Sequence, residues 1–522
     1  MSTSSFTRRA LVTGVTGYIG ARLVPELLSA GWQVRVLSRT ASKLTGRPWL
    51  ADVEVVEGDA TNRDELTATM ADVDVAYYLL HSMDGAAQFA ARDREMAQSF
   101  SDVAADSGVD RIVYLGGLHP NDPDLSDHLG SRKEVGDIFL AGSVPATVLQ
   151  AAVILGTGSA SFEMLRHLTE RLPAMVAPQW LLNRIQPIAV ADVLRYLVGA
   201  AEMPATVNRT FDIGGPDVLT YRQMVQRFAG LAGLPRRLIV TLPVLTPRLA
   251  GHWVKLVTPV PTGLAKPLVD SLVHEVICKE RDIAEFVPDP AGGLIGFDEG
   301  VRLALARADD YPGGRGSLRV AGAPSDAVEG DARWAGRSSY TEDQSSHVDA
   351  SPAQVWDIVA GLGGDHGWYS TDILWRARGV VDKLAGGPGF RNSRPEGQLQ
   401  VGDTLDCWRV EDIEPGKRLL LRAETKLPGK AWLELTVEAD AESAVGGESG
   451  GAGRSARLSQ RTVFLPHGLA GHAYWGSMLP GHLATFALMH RAMVRAAEKS
   501  ATEKSATEKS ATEKSANAPA PA

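Results

Sequence analysis

Cysteine is nearly missing from this sequence: Cys278 and Cys407 are the only two in 522 residues, and they lie far apart. Two distant thiols cannot frame a disulfide scaffold, so buried apolar surface must hold the fold, and a cytoplasmic setting is the expectation. A basic excess is missing too. The net charge of -9 excludes a general nucleic-acid surface. No charged segment followed by an apolar core opens the chain in the manner of a signal peptide. Histidines at metal-ligand spacing are also wanting: His366, His467, His472, His482 and His490 stand apart, and no metal is expected. Nor is there a clean apolar run of membrane length. The nearest, residues 468–489, contains Pro480, two histidines and several glycines. It reads as a buried or interfacial helix, with membrane association through this segment as the alternative.

What remains is ordinary globular composition, 44% hydrophobic and 22% charged, in a chain too long for one core. Two or three domains are expected. The first part alternates strand-like and helix-like segments, the pattern of a parallel sheet wrapped by helices. Strands are predicted at Arg9–Thr13, Gln33–Ser38, Val53–Glu57, Val73–Leu80, Arg111–Leu115 and Ala146–Ala151. From about residue 215 the pattern changes to a turn, FDIGGPDVLTY, with Thr220 as N-cap of a helix over 220–232, and then to a Pro-rich and helical stretch that predicts a small cap on the cleft. The first domain thus runs over residues 1–310.

The stretch TGVTGYIG, Thr13–Gly20, sits where the first strand gives way to a helix. Glycines at 14, 17 and 20 allow a sharp turn and let a phosphate approach the helix N-terminus, where the dipole favours negative charge. Gly14, Thr16, Gly17, Tyr18, Ile19 and Gly20 are therefore candidate dinucleotide-binding residues. The second strand ends in LSRT, where a carboxylate would bind the ribose hydroxyls of NAD. Ser38 and Arg39 stand there instead, with Lys43 close behind, and a guanidinium suits a 2′-phosphate. NADP(H) is expected over NAD(H). At the end of the third strand, EGDAT, Asp59 beside Ala60 is placed to meet the adenine amino group or to cap the next helix. At the end of the fourth, Leu80 and His81 fall beside the ribose and nicotinamide.

TGVTGYIG, LSRT, EGDAT and AYYLLHSM together resemble the atypical or extended short-chain dehydrogenase/reductase superfamily, NmrA-like and epimerase-like, whose glycine pattern is GxxGxxG. With SASFEMLRHL and PIAVADVLRYL, the chain is similar to a bacterial subgroup of NAD(P)-binding oxidoreductases fused to an uncharacterised C-terminal domain. The resemblance spans residues 6 to 496. It implies a Rossmann doubly wound parallel sheet and cofactor contacts at Gly14, Gly17, Gly20, Arg39, Asp59 and Leu80.

The resemblance breaks at the chemistry. The superfamily's proton relay uses a Tyr with a Lys four residues on, plus an upstream Ser. Here Gly116 and Gly117 replace the hydroxyls, and His128 with Arg132 occupies the Tyr and Lys spacing. One reading makes His128 the acid/base, with Arg132 or Lys133 on the nicotinamide ribose, in a reductase acting on a hydrophobic carbonyl or quinone. The other is a redox sensor that binds NADP(H) without turnover. An exposed histidine at a helix start is the plain structural alternative for His128.

Residues 311–340 are rich in Gly, Pro and Asp and read as a linker. A second domain, 341–497, then runs strand, Ser351-Pro352 helix start, antiparallel meander and long helix, followed by an Ala-Glu-Lys-rich tail over 498–522 that favours continued helix. HVDASPAQVWDIVAGLGG resembles the start of the helix-grip superfamily of START-like carriers and polyketide cyclases, α+β folds that grip a long helix and leave an apolar cavity. That implies a small apolar ligand. Trp356, Trp368, Trp375, Trp408, Trp432 and Trp475 are expected mainly as core filling.

Overall fold

In this computed structural model the described residues are 8–80, 89–120, 125–242, 257–306, 338–363, 394–440 and 455–516, with single positions such as Asp331, Trp334, Gly336 and Trp368 between them. They form two compact units that divide after Gly336.

The first unit is built on a seven-stranded parallel sheet. Its strands are β1 (Arg9–Val12), β2 (Gln33–Ser38), β3 (Glu54–Glu57), β4 (Val75–Tyr78), β5 (Arg111–Gly117), β6 (Ala146–Ala151) and an edge strand, Arg209–Ile213. The spatial order is edge strand, β6, β5, β4, β1, β2, β3, and every pairing is parallel. Helices cover both faces, so both sides of each central strand must be apolar. Alternation along the strands sorts the residues into two cores. Ala10, Val12, Val34, Val36, Val75 and Tyr77 face one, while Leu11, Leu37, Ala76, Tyr78 and Ile112 face the other. The helices are α1 (Tyr18–Ser29), α2 (Arg63–Met70), α3 (Phe89–Asp106) and α4 (Asp127–Ala141). This is the Rossmann-like α/β arrangement expected. Strand order reverses between β1 and β4, which opens a crevice at their carboxyl ends.

A third core lies over that crevice. Helix α5 (Ala160–Arg171) packs with the helices Tyr221–Leu231 and Thr262–Ser271 through Phe162, Leu165, Met224, Phe228 and Val269. Thr220 caps the Tyr221–Leu231 helix as expected, and with Gln223 it forms a reciprocal capping box at the first turn. The predicted linker mostly falls outside the described residues, but its end is anchored here. Asp331 pairs with buried Arg22 of α1 at 2.7 Å, and the Gly336 N–H donates to Glu163 at 3.0 Å.

The second unit is a six-stranded antiparallel sheet in the order Tyr340–Val348, Ala456–Pro466, Gly429–Ala439, Arg418–Ala423, Trp408–Glu414, Thr404–Leu405. A short helix, Pro352–Ala360, begins with a capping box between Ser351 and Gln354 and with proline at its first position. The long helix Gly468–Ala516 takes in the Ala-Glu-Lys repeats. Its Phe486, Met489, Met493 and Ala497 are buried against Val410, Leu421, Leu433 and Leu435 of the sheet. Among the described residues no helix is long and apolar enough to cross a membrane. Trp368 and Trp408 join the core, and Trp375 and His366 lie outside the described residues.

Candidate functional site

The crevice begins at the turn between β1 and α1. The Thr13 hydroxyl donates to Tyr77 O at 2.8 Å and accepts the Leu79 N–H at 3.3 Å, fixing the ends of β1 and β4. Gly14 then takes φ +68°, and a Cβ on it would collide with the Leu79 carbonyl. A Cβ on Gly20 would stand 2.5 Å from the Gly14 carbonyl oxygen, so α1 can pack this closely only without one. Gly17 caps α1 with no side-chain hydrogen bond, and no acidic residue occupies the first turn. The helix therefore presents its orphan N–H groups and positive dipole end to the crevice.

Two cavities meet at Gly14. The first, about 570 Å³, runs along the carboxyl ends of β1 to β3 and is lined by Thr16, Ser38, Arg39, Asp59, Ala60 and Leu80, all predicted from sequence. Arg39 is exposed, as is Lys43 behind it, and neither has an ion-pair partner among the described residues. Arg92 of α3 adds a third cation that sequence reading missed, because 53 positions separate it from Arg39 (92 − 39) and only the fold brings α3 to this edge. Asp59 does not cap α2. Asn62 does, accepting the Asp64 and Glu65 N–H groups, while Asp59 accepts from the Thr61 N–H and hydroxyl at 3.0 and 2.9 Å. The remaining carboxylate oxygen is left to the cavity. His81 lies outside the described residues.

The second cavity, about 250 Å³, lies between the sheet and the cap core. Gly14, Gly17, Tyr18, Ile19 and Gly20 form one wall with Gly116 and Gly117; Met164, Tyr221, Leu268, Leu272 and Val276 form another. Side chains do not fit easily at the two β5 glycines: a Cβ on Gly116 would meet the Tyr114 ring at 3.1 Å, and one on Gly117 would meet Leu129 at 3.2 Å. Tyr114 itself is buried in the core, as predicted, its hydroxyl donating to Arg132 O.

His128 and Arg132 line this cavity together, one helical turn apart on α4. Arg132 Nε donates to His128 Nε2 at 3.1 Å. Burial, and then the Arg132 charge, push the His128 imidazole down to about 3, so it is neutral at physiological pH with Nε2 already engaged. Lys133, expected near the ribose, is exposed, pairs with Asp137 at 2.5 Å and lines neither cavity. One residue along a helix is a rotation of about 100°, which carries Lys133 away from the face holding His128 and Arg132. Among the described residues no group of His, Cys, Asp or Glu gathers so as to hold a metal ion.

These features fit a dinucleotide. The glycine cradle leaves room that any Cβ would fill, the uncapped helix end has the polarity that suits a pyrophosphate, and the cavity beside β2 has the room and positive charge that suit an adenosine end. The first unit is thus a Rossmann-like α/β domain, and the proteins it resembles include reductases. Residues 14–152 match the NAD(P)H-binding family model, and residues 334–489 match a family described as a protein of unknown function, DUF2867. The chain is 27% identical over 300 residues to the ceramide reductase of Caulobacter vibrioides, covering 55% of this chain and 91% of that one. It is 26% identical over 235 residues to the (4-alkanoyl-5-oxo-2,5-dihydrofuran-3-yl)methyl phosphate reductase of Streptomyces griseus, covering 44% and 75%. Among solved structures, the Citrobacter sp. triphenylmethane reductase complexed with NADP(H) aligns with a TM-score of 0.45 at 19% identity, over 57% of this chain and all of that one.

Proposed function

We propose that the protein is a cytoplasmic NADP(H)-dependent oxidoreductase acting on an apolar carbonyl or quinone-like acceptor. The observation that carries the cofactor choice is the cavity at the end of β2, where Arg39, Lys43 and Arg92 stand and no carboxylate occupies the position after Ser38. Gly14, Gly17 and the first turn of α1 would hold the pyrophosphate, and Arg39 with Lys43 the 2′-phosphate. A bound nicotinamide supplies hydride chemistry at the second cavity, whose largely aliphatic walls exclude water and favour an apolar acceptor. His128 holds no proton to give at Nε2, so its role in this reading is to orient Arg132 through their shared hydrogen bond.

The experiment uses NADPH carrying deuterium at either face of nicotinamide C4, incubated with the full chain and an apolar metabolite extract. Label appearing in a metabolite establishes the oxidoreductase and names its acceptor. Cofactor binding without transferred label supports the second reading, an NADP(H) sensor, which the absent Tyr-x-x-x-Lys relay and the neutral His128 favour.

For the second unit the proposed role is a helix-grip-type carrier of a small apolar molecule. A cavity of about 130 Å³ lies between its sheet and long helix, walled by Trp408, Trp432, Phe464, Trp475, His482 and Phe486. Gly481 lines the same cavity and a Cβ there meets nothing within 4 Å, so Gly481→Leu adds a side chain at its exposed edge without a clash. Binding of 1-naphthol to the full chain should drop in that variant; undiminished binding contradicts the assignment.

A further inference from the structure

The cavity between the sheet and the cap core has no aspartate, glutamate or lysine among the described residues that line it. Arg132 carries its one permanent charge. The side chain leaves α4 and crosses the end of β5, where a Cβ on Gly117 would stand 3.5 Å from its Cδ. Its Nε donates to His128 Nε2 at 3.1 Å. The two terminal nitrogens have no hydrogen-bond partner among the described residues, and since the residue is half-buried rather than sealed, both remain accessible.

The neighbouring cations on α3 and α4 are treated otherwise. Arg94 pairs with Glu134 and Lys133 with Asp137, each at 2.5 Å. Asp93 of α3, which faces α4, receives the Ser131 hydroxyl at 3.3 Å and makes no ion pair with Arg132. A guanidinium against apolar walls lacks much of the water that would solvate it, and an oxyanion completes it best, because the planar fork can hold two oxygens by parallel hydrogen bonds. His128 supplies no such charge, for its imidazole is neutral; it fixes the fork through Nε and leaves the outer nitrogens open. On the cofactor reading above, the dinucleotide's own anions have other receivers: the uncapped first turn of α1, and the cations beside β2 in a cavity that Arg132 does not line.

We infer that Arg132 binds the anionic headgroup, a carboxylate or a phosphate, of a ligand whose carbon skeleton lies against Met164, Leu268, Leu272 and Val276. The inference rests on the oxidoreductase reading above and narrows its acceptor to an apolar molecule that carries one acidic group. As a group that touches this ligand, Arg132 is a binding residue.

The test needs no turnover. Three probes share an apolar body and differ at the headgroup: 4-phenylbutanoate, 3-phenylpropyl phosphate and the uncharged 4-phenylbutanamide. Each is titrated calorimetrically into the full chain saturated with NADP⁺, in wild type and in Arg132→Gln. In wild type at least one anion should bind roughly tenfold or more tightly than the amide, and the preferred anion assigns the headgroup as carboxylate or phosphate. Arg132→Gln should weaken that anion by roughly tenfold or more and the amide by less than about threefold, with NADP⁺ affinity kept within about threefold. Arg132→Lys, which keeps the charge and loses the fork, should retain part of the preference.

An amide bound as tightly as both anions, or no saturable binding of any probe, overturns the inference while NADP⁺ binding stands. A loss of NADP⁺ affinity in Arg132→Gln as large as the loss for the anion overturns it too, by moving Arg132 to the cofactor. No NADP⁺ binding by wild type overturns the oxidoreductase reading as well. Should Arg132→Gln fail to fold, Arg132→Lys is read by the same titrations, and an undiminished anion preference there contradicts the inference.

Discussion

The two ends of the crevice are built on opposite terms. At the end of β2, cations sit exposed on short segments that follow the strands, and Arg39 and Lys43 have no protein partner among the described residues. Beneath the cap, aliphatic walls enclose a smaller cavity whose polar groups are mostly tied to one another. A phosphate keeps much of its hydration and is held by charge, so it suits the first design. An acceptor held by shape and one or two hydrogen bonds suits the second. On the proposed function, one end selects by charge and the other by exclusion of water.

This contrast can be broken most severely at the floor both ends share. Gly14→Ala puts a Cβ into the Leu79 carbonyl at a positive φ, and should cost on the order of 2–4 kcal/mol of stability and abolish binding of both NADPH and NADH. Thermal melts and cofactor titrations check it. Next in size is the anchor on α1. Asp331→Asn removes the carboxylate that pairs with buried Arg22, so a loss of roughly 2–3 kcal/mol is expected in denaturant melts, with the NADPH/NADH ratio unchanged.

A smaller effect, confined to one end, comes from Arg39→Asp. NADPH affinity should fall by roughly 2 kcal/mol, about thirtyfold, and NADH affinity by far less; calorimetry giving equal losses would remove the 2′-phosphate assignment. Smallest is the pH response at the other end. The unfolded chain's imidazole titrates near 6.5 and the folded one near 3, so the unfolded state binds more protons between those values and stability falls as pH drops through that window. His128→Asn should flatten part of that fall. Equal losses of melting temperature between pH 7 and pH 5 in wild type and variant would mean that His128 is not held neutral.

How much of this could be read from the chain depends on how local each feature is. The glycine turn, the β2 end and the α4 pair were legible because each is set by neighbours within a few residues: a strand ending, a helix starting, a spacing of four. The central strands were legible for the same reason, their apolar runs being short and bounded by turns. Lys133 follows Arg132 in the sequence yet lines neither cavity, because adjacency in sequence is not adjacency on a helix face. Arg92 was missed because its place in the cavity arises only when α3 reaches the β2 edge.

The most direct test of the charge-selecting end is a pair of calorimetric titrations of the wild-type full chain, one with NADPH and one with NADH, at the same moderate ionic strength. The account predicts that NADPH binds at least tenfold more tightly, with the gap narrowing as salt rises. NADH binding as tightly as NADPH, or more so, would contradict it.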